Sequence, residues 1–100
     1  MPTKAQSPSS REAAEMLAIQ ALAFLAEEPE RLSAFLSATG IAIDDLRNAA
    51  GETDFLTGVL EHMLGDERLL LDFAGGVGID PANVARARHA LGGEWNRDLP

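Results

Sequence analysis

Apolar residues along this chain recur three or four positions apart, which is the spacing of one face of an α-helix. The spacing is clearest in the segment 53–64, whose apolar residues are Phe55, Leu56, Val59, Leu60, Met63 and Leu64. No segment alternates apolar and polar residues as a half-buried strand does, and β-branched residues are few. The pattern therefore predicts an all-α fold, a compact bundle of five or six short helices.

Start and stop signals divide the chain into six predicted helices. Ser9 followed by Glu12 has the pattern of a capping box and starts the first helix. Aspartate or proline starts later helices, and glycine, which accepts a left-handed backbone, ends them. Gly58 lies inside the fourth helix, where glycine is unfavourable by about 1 kcal/mol relative to alanine, so we expect a neighbouring helix to approach closely there. The predicted helices cover about residues 10–27, 29–38, 43–50, 53–64, 67–75 and 81–91.

The length of 100 residues suffices for one hydrophobic core but not for two. Residues 1–9 are polar and contain two prolines, so we expect a disordered N-terminal lead. Residues 10–92 are expected to form a single helical domain. Residues 93–100, which follow the first glycine of a pair, are expected to form a flexible C-terminal tail.

Similar residues recur at an offset of 38 positions along the chain. The matching pairs include Leu32 with Leu70, Phe35 with Phe73, Gly40 with Gly78, and Ile41 with Ile79. Two units of this size cannot each bury their own apolar face, so they would pack on one another. We therefore expect the bundle to contain an inexact internal two-fold repeat.

Composition and charge narrow the range of functions. The formal net charge is −8, and a field of this sign repels nucleic acid and anionic lipid over about 8 Å at physiological salt. The chain has no cysteine, which excludes disulfides and thiolate chemistry and fits a reducing compartment. No apolar run approaches the roughly 18 residues of a membrane span, and the N-terminus lacks the apolar region of a secretory signal. We expect a cytoplasmic protein with no membrane contact and with nucleic acid disfavoured as a partner.

Polar residues show no pattern typical of catalysis. The two histidines are His62 and His89, whereas a zinc or iron site needs three or four converging ligands. The carboxylate pairs 27–28, 44–45 and 66–67 lie near predicted helix starts, where they favour the helix dipole. No serine has a histidine near it in the sequence to activate it. We therefore expect a non-enzymatic protein with no catalytic residues, no metal site and no cofactor.

Four blocks of sequence carry a family resemblance. They read EAAEMLAIQALAFLAEEPERLSAFL, TGIAIDDLRNAAG, DFLTGVLEHMLGDERLLLDFA and GIDPANVARARHALG, and together they cover about residues 11–92. In order and spacing they resemble a small bacterial family known as domain of unknown function 3572. The chain departs from it at Ala42 and Ile43, where members tend to have Asp-Pro, which leaves the third helix poorly capped. The resemblance implies an α-helical protein of alphaproteobacterial type, and it implies no activity.

An interaction surface is the first functional hypothesis. Met16, Ile19 and Ala23 fall on the polar side of the first helix, among glutamate and glutamine residues. Such a row indicates a partner helix or a dimer contact, unless the sixth helix or the tail covers it. Trp95 either belongs to a disordered end or anchors a contact with its large apolar area. We therefore expect an unknown protein partner or a weak homodimer, with these four residues as interface candidates.

A helix-turn-helix DNA-binding protein is the alternative hypothesis. Residues 74–84 have the spacing A-x3-G-I-x4-V found at the turn of such modules. The same spacing also suits any tight corner between two helices. The following helix, 81–91, would offer phosphates and base edges the side chains of Asn83, Arg86, Arg88 and His89. The negative charge of the chain opposes this function.

Overall fold

The computed structural model describes the backbone of residues 10–97 and the side chains of residues 10–91. Within that range the chain forms six α-helices and no strand, which confirms the predicted all-α class. A 3-10 turn, Ile43–Asp45, leads into the short third helix. None of these helices is both long enough and apolar enough to cross a membrane. The helices are α1 (Ser10–Ala26), α2 (Pro29–Thr39), α3 (Leu46–Ala49), α4 (Thr53–Leu64), α5 (Glu67–Val77) and α6 (Ala82–Arg97).

Capping residues explain where several helices begin. The Asp66 carboxylate accepts a hydrogen bond from the Leu69 N–H at 3.2 Å, which satisfies one of the free donors of α5. Pro29 opens α2 in its first turn, as predicted. Ala42 precedes the 3-10 turn and has no side-chain group to cap it. The predicted third helix, about 43–50, is instead this 3-10 turn followed by the four-residue α3. The predicted capping residue Ser9 lies outside the described residues.

The predicted end of α5 at about residue 75 is wrong, because the helix continues to Val77. It ends where the chain turns into a left-handed conformation, at Gly78, whose φ is 76°. The N–H groups of Gly78 and Ile79 both donate to the Ala74 carbonyl at 2.9 Å. The hydrogen-bonded turn, and not the first glycine of the run, ends the helix.

The predicted end of α6 at about Leu91 is also wrong. The helix continues through Gly92 and Gly93 as far as Arg97, so it overlaps the predicted tail 93–100. A glycine inside a helix lowers its stability by about 1 kcal/mol relative to alanine but does not by itself terminate it. The predicted N-terminal lead, 1–9, lies outside the described residues, and the predicted domain limits stay a prediction.

The core lies around α4, whose buried side chains are Phe55, Leu56, Val59, Leu60 and Met63. α2 and α5 each add one fully buried ring, Phe35 and Phe73. The Phe35 ring packs edge-to-face on Phe55, with 5.6 Å between the ring centres. α1 packs against both α4 and α6 and contributes mainly small residues to the core: Ala14, Ala18, Ala21 and Leu25.

Local structure repeats at the predicted offset of 38 residues. The first residues of α2 and α5, and also their last residues, lie 38 positions apart. Phe35 and Phe73 are both fully buried, and Gly40 and Gly78 both have φ of 76°. The third elements of the two units differ, since α3 has four residues and α6 has sixteen. A two-fold arrangement of the two halves stays a prediction.

The expectation of a close helix approach at Gly58 is wrong. Among the described residues, no atom of a neighbouring element lies within 4 Å of the place that a Cβ would take. The glycine therefore does not serve helix packing at this position.

Candidate functional site

Two large apolar side chains of α1 are exposed to solvent. Alanines occupy most of its buried positions, whereas Met16 is 61% exposed and Ile19 is 48% exposed. With the exposed Ala23 they form a row at positions i, i+3 and i+7 on one face of the helix. In the described part of the chain, no other element buries the predicted interface row.

An open groove runs between α1 and α6 beside this row, with a volume of about 690 Å³. Met16 lies on its α1 side and joins the exposed row to the groove, whereas Ile19 and Ala23 do not belong to the lining. Alanine side chains on both helices make room for the groove because they do not project far from the backbone. The lining residues are Ser10, Ala13, Ala14, Met16, Leu17, Gln20, Ile79, Asn83, Arg86, Ala87, His89 and Ala90.

The polar part of the α1–α6 groove lies mostly on α6. The Arg86 guanidinium donates a hydrogen bond to the Asn83 side-chain oxygen at 2.6 Å. His89 is exposed on the same helix and also lines the groove. No carboxylate of a described residue belongs to the lining, so this part of the groove offers a cation within an apolar surface, although the chain as a whole is acidic.

The four predicted nucleic-acid residues do not share one surface. Asn83, Arg86 and His89 line the α1–α6 groove. Arg88 instead pairs with Glu61 of α4, and the distance from its Nε to the carboxylate oxygen is 3.0 Å. The ion pair neutralises one of the two arginines that a recognition helix would use on phosphates.

Trp95 is the one interface candidate whose surroundings are not described. Its backbone belongs to α6, which reaches Arg97, and its side chain lies outside the described residues. Trp95 therefore stays a prediction as an interface residue.

The other histidine, His62, belongs to the packing of the core. Its ring meets the Phe35 ring edge-to-face, with 5.2 Å between the centres. Among the described residues, no group of three or more histidine, aspartate or glutamate side chains is placed to hold a metal ion.

The groove itself is the feature that sequence reasoning missed. Its walls come from two segments, Ser10 to Gln20 on one side and Ile79 to Ala90 on the other, whose nearest lining residues are 59 positions apart in the sequence. The sequence marks Met16 and Arg86 as candidates for two different functions, and the fold brings them to one surface. The alanines of both helices are compatible with close packing of α1 and α6, but alanine occurs on buried and exposed faces and does not indicate which side of a helix faces a neighbour.

Comparison with known proteins gives one match. The family described as protein of unknown function (DUF3572) matches residues 11–94, a range that contains both walls of the groove. No curated protein and no solved structure matches the chain.

Proposed function

We propose that the chain, which belongs to the DUF3572 family, is a non-enzymatic interaction module that binds an amphipathic helix of a partner protein. The exposed apolar residues of α1 support this most directly. Met16 is mostly exposed and Ile19 is about half exposed, while other large side chains of α1, among them Leu25, pack in the core. Exposed apolar side chains grouped beside a groove are typical of a surface that another protein covers.

The shape of the surface favours a helix as the occupant. The row from Met16 to Ala23 spans two helical turns, about 11 Å at 1.5 Å per residue. The groove beside it runs between two helices, which is where an amphipathic helix places residues spaced at i, i+3, i+4 and i+7. Burial of one methionine or isoleucine side chain contributes about 1.5–3 kcal/mol, and association itself is costly, so we expect weak, reversible binding.

Replacing Ile19 with glutamate tests the proposal. Ile19→Glu puts a charge in the middle of the exposed row and should abolish partner binding, while helicity and the unfolding temperature stay near those of the wild type. Leu71→Glu is the matched control, because Leu71 is 51% exposed on α5 and belongs neither to the exposed row of α1 nor to the lining of the groove. Cross-linked affinity capture from the native cell, followed by mass spectrometry, compares the three proteins.

The partners captured by the three proteins decide whether the exposed row of α1 is the binding surface. Partners retained by the wild type and by Leu71→Glu but lost by Ile19→Glu would support the proposed surface. The same partners on all three proteins would contradict it. Sedimentation velocity tests the weak homodimer separately: a dimer of the wild type that Ile19→Glu dissociates would replace the partner protein with a second copy. Unfolding of Ile19→Glu would instead place Ile19 in the core.

Nucleic-acid binding has less support as an alternative proposal. The corner between α5 and α6 has the left-handed glycine, Gly78, that a helix-turn-helix module also uses. However, Arg88 is paired with Glu61, and the net charge of −8 opposes phosphate contacts. Arg86 and His89 are therefore better placed for a local contact in the groove than for a broad contact with a nucleic acid backbone.

A further inference from the structure

We propose that the α1–α6 groove selects a partner helix carrying a carboxylate beside its apolar stripe, and that Arg86 binds this carboxylate. The proposal rests on the proposed function and adds the chemistry of the partner. It concerns the one guanidinium that lines this groove among the residues whose side chains are described.

Arg86 is held in place and still has donors to offer. Its guanidinium gives one hydrogen bond to the Asn83 side chain, at 2.6 Å, and this is its one recorded polar contact among the described residues. A guanidinium has five N–H donors in a planar fork that matches the two oxygens of a carboxylate. The bond to Asn83 therefore restrains the side chain without neutralising its charge.

Two other arginines in the described part of the chain show the contrast, because they lie beside carboxylates. Arg31 lies 3.9 Å from carboxylate oxygens of both Glu28 and Asp72. Arg88 is paired with Glu61. Arg86 differs from them because no carboxylate of a described residue lines the surface around it.

The apolar surroundings make a contact at Arg86 more effective than one on an open surface. Ala87, Ala90 and Leu17 line the same groove, so an occupying helix would displace water around the guanidinium. Charge-assisted bonds between arginine and carboxylate are about twice as strong as neutral hydrogen bonds, and screening by water is weaker when the pair is partly covered.

The net charge of the chain makes the proposal sharply testable. A chain with net charge −8 repels acidic peptides and attracts basic ones at long range. Non-specific electrostatics therefore predicts a preference for a basic partner helix. The local site at Arg86 predicts the opposite preference.

The experiment uses three synthetic helical peptides of about 20 residues, long enough to form a helix in water. They share one leucine stripe and differ only in the residues beside it, which are glutamate, glutamine or lysine. Fluorescence anisotropy with the full chain measures each Kd. We expect the glutamate peptide to bind at least about tenfold more tightly than the glutamine peptide, and the lysine peptide to bind most weakly.

Substitutions of Arg86 test whether this residue causes the preference for the glutamate peptide. Arg86→Gln should remove the preference for the glutamate peptide, and Arg86→Glu should reverse it in favour of the lysine peptide. Arg68→Gln is the matched control, because Arg68 is exposed on α5 outside the groove, and it should keep the preference. Circular dichroism checks that each variant retains the helicity of the wild type.

The outcomes separate the two proposals. Equal binding of the three peptides, a preference for lysine, or a glutamate preference that survives Arg86→Gln would each overturn the role of Arg86. Binding that Ile19→Glu does not weaken, or no binding of any peptide, would overturn the proposed helix-binding function as well. Peptides displaced by a second copy of the chain at higher concentration would replace the partner helix with a homodimer contact.

Discussion

At the scale of single residues, the structure has room for a Cβ atom at Gly58. The residue lies inside α4, and a Cβ there would meet no described atom of a neighbouring element within 4 Å. Gly58→Ala reduces the conformational freedom of the unfolded chain. We expect it to raise the free energy of unfolding by about 0.5–1 kcal/mol, as measured by urea unfolding monitored with circular dichroism.

Gly78→Ala is the matched control for this prediction. Gly78 has φ of 76°, a conformation that is less favourable for an L-residue with a Cβ by about 1–2 kcal/mol. The two substitutions should therefore change stability in opposite directions. A destabilised Gly58→Ala protein would show that the space around this glycine is smaller than the structure indicates.

At the scale of the element, α1 has buried alanines on one side and exposed apolar residues on the other. Ala18 is fully buried, while its neighbour Ile19 is 48% exposed. Ala18→Leu adds volume where the core has little room and should lower the free energy of unfolding by about 1–3 kcal/mol. Ile19→Ala removes as many carbon atoms as Ala18→Leu adds, but it should change the free energy of unfolding by only about 0.5 kcal/mol. Thermal and urea unfolding of the two variants tests this difference.

A larger loss of stability for Ile19→Ala than for Ala18→Leu would contradict the orientation of α1, that is, which of its faces points into the core. If Ile19→Ala were the more damaging substitution, the large side chain would be buried and the proposed interaction surface would be lost. Equal, small effects would show that α1 is loosely packed against α4 and α6.

The helix pattern was predictable from the sequence because its signals are local. Asp66 caps α5 through a bond to a residue three positions away, and Gly40 ends α2 with a left-handed turn. The ends of α5 and α6 were not predictable from glycine alone, since α5 passes through Gly75 and α6 passes through Gly92. Glycine permits a helix to end, whereas packing and hydrogen bonding decide whether it does.

The candidate site was only partly predictable, because it depends on contacts between distant segments. The helical wheel places Met16, Ile19 and Ala23 on one face of α1. It does not show whether another element covers that face. The groove requires α1 and α6 to pack together, and their sequences do not encode this pairing in a readable pattern. Arg86 and Met16 therefore became parts of one surface only in the folded chain.

At the scale of the whole molecule, negative charge dominates. The net charge is −8, and ion pairs such as Arg88–Glu61 are at the surface, where they contribute little to stability. Repulsion among like charges destabilises a compact state, and salt screens it. We expect the unfolding temperature to rise between low ionic strength and about 1 M NaCl, where the Debye length is about 3 Å.

Calorimetry at several NaCl concentrations measures this salt effect. Glu30→Lys is a suitable comparison, because Glu30 is exposed and the substitution makes the chain two units less negative. Its unfolding temperature should rise less with salt than that of the wild type. A fall in the unfolding temperature with salt would mean that the surface ion pairs outweigh the repulsion.

Alanine makes up much of the lining of the α1–α6 groove, and a methyl side chain has no rotamers to lose. A guest that contacts these alanines immobilises no host side chain there, whereas Met16, Gln20 and Arg86 still have rotamers to lose. At the alanine positions, the entropy lost on docking falls on the guest. Guests that are already rigid should consequently have the advantage over flexible ones of the same composition.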